Sequence, residues 1–91
     1  MKQIGITTED EPVMADVFKL VGTHGIPLEV VLEMMKARGW KVSWPHYVDD
    51  AMKDGAKFRT VRARAMASVS EVYGPHFFKG FEARWIEWFG E

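Results

Sequence analysis

The sequence predicts an all-α fold, a compact bundle of about five short helices in a single domain. Two observations carry this. Each of the four prolines (Pro12, Pro27, Pro45 and Pro75) stands where an amphipathic segment begins, and Gly22, Gly39, Gly55, Gly74 and Gly90 follow those segments. Proline suits the first helical turn, where its missing N–H would be unpaired anyway, and glycine accepts the left-handed turn that closes a helix. Between these marks, apolar residues recur at spacings of three and four. Helices are therefore expected over 11–21, 27–38, 44–54, 57–73 and 75–89, about three-quarters of the chain against one-third in an average globular protein. A chain of 91 residues does not divide its core in two. Residues 9–91 read as one helical domain and 1–8 as a flexible N-terminal arm, in which Ile4 and Ile6 alternate weakly.

In the first segment Val13, Met14, Val17, Phe18 and Val21 fall at helical spacing opposite Asp16 and Lys19. Thr8 with Glu11 offers a capping box, and Asp10 an equally good cap ahead of Pro12. The second segment (Leu28, Val30, Val31, Leu32, Met34, Met35) is apolar around more than half its girth, as a central helix would be, with Glu29, Glu33, Lys36 and Arg38 on its wet strip. Ser43 caps the third, which turns Trp44, Tyr47, Val48, Ala51 and Met52 inward. The fourth carries the stripe Phe58, Val61, Ala65, Val69 and Val72, with Ala63 and Ala67 permitting close approach. Val31, Met35, Val48, Val61, Ala65 and Val69 are expected to be buried.

Composition excludes several classes. Twelve Lys+Arg against 13 Asp+Glu is neither a histone-like nor an acidic-tail balance. The absence of cysteine removes disulfide scaffolds, Cys-type zinc fingers and thiol chemistry. No apolar run approaches the roughly 18 residues of a membrane span, and Met1-Lys2-Gln3-Ile4-Gly5 has no signal-peptide core, so a cytoplasmic protein without a membrane partner is expected. The glycines are isolated stops rather than a phosphate loop, and no Ser/His/Asp order stands out. His46 and Asp50, at i and i+4, supply only two good metal ligands. Neither an enzyme nor a cofactor is expected.

Pro27 to Gly55 has the outline of a helix-turn-helix-like pair in the middle of the fold. Met34-Met35 sit where that motif needs a small residue, and Asp49, Asp50 and Asp54 would repel a phosphate backbone. The basic cluster Lys57, Arg59, Arg62 and Arg64 opens the fourth helix, where the macrodipole is already positive. It flanks the apolar stripe on both borders, which suits side chains laid over a core or, alternatively, contact with an anion or nucleic acid. The last segment is the most unusual. Six of the twelve aromatics (Phe77, Phe78, Phe81, Trp85, Trp88, Phe89) fall in the last fifteen residues and cover on the order of 1,000 Å² of side-chain surface. That is more than one small bundle needs for its interior, and Trp and Phe are interface anchors. Phe77, Phe81, Trp85, Trp88 and Phe89 are the expected partner-binding residues, and an identical helix across a two-fold axis is an expected cover.

The stretches Gly25-Ile26-Pro27-Leu28-Glu29-Val30-Val31, Trp44-Pro45-His46-Tyr47-Val48-Asp49-Asp50-Ala51 and Val72-Tyr73-Gly74-Pro75 resemble small phage- or prophage-encoded proteins of unassigned function. The resemblance spans 25–75, holds no catalytic motif, and implies a compact accessory protein that acts in a bacterial cytoplasm by binding something. The expectation from all of this is a non-catalytic interaction protein: a phage-type regulator or inhibitor of a bacterial macromolecule, self-associating as a homo-oligomer through its aromatic helix. The alternative is a helix-turn-helix-like nucleic-acid-binding regulator that uses the basic cluster.

Overall fold

The residues ahead of Pro27 do not form the helix expected over 11–21. In the computed structural model, which describes residues 1–91, they supply strands β1 (Lys2–Ile6) and β2 (Pro12–Ala15) and a π-helical turn, Lys19–Thr23. Then follow α1 (Leu28–Arg38), β3 (Lys41–Val42), α2 (Trp44–Lys53) and α3 (Phe58–Phe89). The strands form one sheet in the order β1-β2-β3, antiparallel between β1 and β2 and parallel between β2 and β3. The all-α bundle of five helices is therefore incorrect: the fold is mixed. Helix still makes up 66% of the chain, so helix content alone does not separate the two architectures.

The reason lies in turn chemistry. The Thr7 hydroxyl accepts hydrogen bonds from the N–H groups of Glu9 and Glu11. The Asp10 N–H donates to the Thr7 carbonyl at 3.0 Å, and the Thr7 N–H to that of Glu11 at 2.9 Å. Asp10 has φ 62°, a left-handed conformation that aspartate tolerates better than most residues. This is a three-residue hairpin loop, a type I turn closed by a left-handed residue, and it occupies the stretch where Thr8 or Asp10 was expected to cap a helix. Asp16 repeats the left-handed conformation at φ 62° and cuts the periodic run from Val13 to Val21. Met14 and Ala15 bury from a strand, and Val17 from the turn beyond it. Gly22 keeps that turn compact, since a Cβ there would stand 2.5 Å from the Phe18 ring.

The helix-turn-helix-like pair is also corrected. Between α1 and α2 the chain is extended: Lys41 and Val42 pair with Val13 and Met14. The Ser43 N–H donates to the Met14 carbonyl at 2.9 Å. The backbone groups of this connection are satisfied by β2 rather than by a tight turn, so α1 and α2 are separated by a strand.

α3 is two helices joined at a sharp bend. Gly74 has φ 85° and ψ 172°, a combination open only to glycine, and Pro75 then starts the second limb. The limbs, 58–73 and 75–89, fold back on each other, bringing Phe58 within 5.5 Å of Phe89 and 6.0 Å of Trp85 between ring centroids. The Lys36 ammonium donates to the Val72 carbonyl at 3.0 Å, one of the acceptors left open where a helix ends. The six residues expected to be buried all are. Trp85 occupies the centre, fully buried among the rings of Trp44, Phe58, Phe81 and Phe89, with its indole N–H unpartnered.

Candidate functional site

The second limb of α3 divides its rings between the interior and one border. Phe81 and Trp85 face the core, at 5% and 0% exposure, and Phe89 is half-buried against Phe58 and Trp85. Phe77 and Trp88 are left 39% and 38% exposed. Of the five residues expected to meet a partner, two are thus core, one lies at its edge and two are accessible. These two are eleven residues apart, about 16 Å along a helix at 1.5 Å per residue.

The border that carries them is one wall of a cleft of about 960 Å³. Gly80, Phe81 and Arg84 lie between Phe77 and Trp88 on this wall. The sheet makes the opposite wall with Glu11, Val13, Lys41 and Ser43, and the hairpin extends it with Ile6, Thr7, Thr8 and Glu9. Leu32, Val69 and Trp44 also line the cleft. Sheet and helix are tied at one end. Lys41 pairs with Glu11 at 3.6 Å and places its ammonium 5.2 Å from the centroid of the Phe77 ring, which stacks on Tyr73 at 4.4 Å. Such a cation over a ring is worth about 0.5–1 kcal/mol at an exposed site. Burial pushes the Tyr73 hydroxyl up from its ordinary pKa, with smaller contributions from Glu33 and Glu11. Beyond the tie, Phe81 and Trp88 meet edge to face at 6.3 Å.

Two charges on the cleft have no ion-pair partner. Glu9 on the hairpin and Arg84 on the helix are both exposed, and the ion pairs of the molecule are Lys41–Glu11, Lys53–Asp49 and Arg64–Glu29. Gly80 is equally free: a Cβ added there would meet nothing within 4 Å. The walls thus combine aromatic surface with one unpaired charge of each sign, an arrangement suited to recognition.

The basic cluster is not one patch. Arg64 is held by Glu29 at 3.6 Å, while Lys57, Arg59 and Arg62 are exposed on both sides of the buried stripe. Glu29 also accepts a hydrogen bond from the fully buried Ser68 hydroxyl at 2.8 Å. Its own backbone N–H, then Ser68, hold its carboxyl below the ordinary glutamate range; desolvation opposes this and Arg64 adds to it. His46 and Asp50 do not act together. The His46 Nδ1 shares a 2.6 Å hydrogen bond with the Ser43 Oγ, whereas Asp50 lines a separate polar hollow with Asp16, Asp54, Lys19 and Lys53. No three His or acidic side chains converge as a metal site would require.

Sequence reasoning found the aromatic wall and missed the one facing it. Ile6 fell in the expected arm, Val13 in the expected first helix, Glu9 between the two, and Lys41 in an expected turn. The available signal was Thr7-Thr8-Glu9-Asp10 ahead of Pro12, hydroxyl and carboxylate residues that bond their own backbone in turns. No helix is long and apolar enough to cross a membrane. No family model, curated protein or solved structure matches the chain.

Proposed function

We propose that this chain is a non-catalytic interaction protein, a phage-type regulator or inhibitor that works in a bacterial cytoplasm by seating on another protein through the mouth of the cleft. One observation carries this. Ile6, Phe77 and Trp88, three of the eight large apolar side chains left exposed, line the same cleft. Single apolar residues scattered over a surface are ordinary, whereas aromatic ones gathered at a concave site are what interface anchors look like. The resemblance of 25–75 to small phage-encoded proteins supports the bacterial setting.

The test compares two immobilised baits, wild type and Trp88→Glu, in bacterial lysate. The proposal expects a protein that the wild type retains and the variant loses, with helix content by circular dichroism unchanged. Identical retention by both baits would place the working surface elsewhere.

A further inference from the structure

We infer that the occupant of the cleft mouth is a second copy of this chain, docked across a two-fold axis. The inference rests on the reading of the cleft as a protein contact and names what fills it. The mouth carries both halves of its own complement. The hairpin lip offers Glu9 and the helix lip offers Arg84, and neither is neutralised within the chain. A two-fold rotation about an axis that runs along the cleft, in the plane where two mouths meet, sets each copy's acidic lip against the other's basic lip. A self-complementary patch of this kind closes as a dimer rather than growing into a filament.

The apolar part of the patch fits the same arrangement. Ile6 stands on the lip with Glu9, while Phe77 and Trp88 flank Arg84 on the other. Each charge contact formed across the axis therefore brings Ile6 of one copy towards the aromatic residues of the next. Gly80 sits between Phe77 and Arg84 with open space beside its Cα. Glycine inside a helix is disfavoured relative to alanine, and packing within this chain does not call for it. A neighbour approaching the helix backbone does.

The experiment measures mass by light scattering for four samples: wild type, Glu9→Arg, Arg84→Glu, and an equimolar mixture of the two variants. Wild type should run at twice the 10.4 kDa chain mass. Each variant alone sets like charges against each other at both lips and should fall to the single-chain mass. In the mixture, the Glu9→Arg chain is basic at both lips and the Arg84→Glu chain is acidic at both. Every lip contact between unlike chains then joins opposite charges again, so the doubled mass should return. That recovery also shows both variants to be folded. A wild type that stays at 10.4 kDa at the highest concentration reached overturns the inference. So do single variants that remain dimeric, or a mixture that stays monomeric. A monomeric wild type that still captures a lysate protein through Trp88 would sink only the second copy, leaving the proposed function in place.

Discussion

The two limbs of α3 are helices of similar length that solve packing in opposite ways. The first turns Val61, Ala65, Ser68, Val69 and Val72 inward, all buried. Small side chains let it lie close against α1, where Ser68 and Arg64 reach Glu29 and the Val72 carbonyl receives Lys36. The second turns rings inward. Phe81 and Trp85 fill the centre, but rings are wide, and the border bearing Phe77 and Trp88 stands off from the sheet and leaves the cleft. Close packing consumes a helix face, whereas bulky packing leaves part of it exposed.

Breaking the centre of the second limb should have the largest effect. Trp85→Ala removes a fully buried indole that four other rings surround, and should cost about 3–5 kcal/mol in chemical denaturation. Its orphaned N–H gives a finer test. Trp85→Phe should cost much less than Ala, because it keeps a ring and removes a buried donor that itself costs about 1–3 kcal/mol. The first limb should fail in the other direction. Ala65→Leu inserts bulk at a site with 0% exposure and should destabilise by about 1–3 kcal/mol, where the same substitution at exposed Ala83 should be close to neutral. An Ala65→Leu variant as stable as wild type would mean that small residues do not set the close approach.

The same contrast explains what the sequence made legible. Helical stripes announce themselves by period, so α1, α2 and both limbs lie within a residue or so of their expected spans. The bend at Gly74-Pro75 followed from backbone chemistry alone. The strands were hidden for two reasons. β3 has only two residues, too few for any period to show. β2 and the π turn share an apolar pattern that mimics a helix, because Val13-Met14 and Val17-Phe18 are four apart on either side of Asp16. Only the left-handed Asp10 and Asp16, and the Thr7 turn, break that resemblance. As for the candidate site, aromatic excess drew attention to the helix that forms one wall of the cleft. Its division into core and accessible rings was invisible, because it depends on where the sheet lies.

The tie between α1 and the first limb should sharpen the comparison through pH. The Glu29 carboxyl is held below its ordinary range, so its folded pKa is lower than its unfolded one, about 4.3. Glu29 therefore contributes stability that is fully present above that value and is lost as pH falls through the folded pKa. Ser68→Ala removes the 2.8 Å hydrogen bond and should cost on the order of 1–2 kcal/mol at neutral pH. It should also flatten the acid limb of the stability profile, measured by urea titration between neutral pH and pH 3. No such pair spans the cleft from the second limb. Acid should thus weaken the closely packed limb first, and a Ser68→Ala profile parallel to wild type would remove this distinction.

The smallest effect expected is a gain. Gly80 lies inside the second limb, where glycine costs a helix up to about 1 kcal/mol relative to alanine. The added methyl group would meet nothing within 4 Å, so no internal clash offsets that gain. Gly80→Ala should therefore raise the unfolding midpoint, by roughly 4–8 °C for each kcal/mol in a domain of this size. The same methyl group projects into the cleft between Phe77 and Arg84, where a docking partner would come closest to the helix backbone. A chain that becomes more stable and binds less well would identify Gly80 as a residue placed for contact rather than for folding. If Gly80→Ala instead lowers the midpoint of the single chain, measured at a dilution where association contributes nothing, the second limb is packed more tightly than its exposed border indicates.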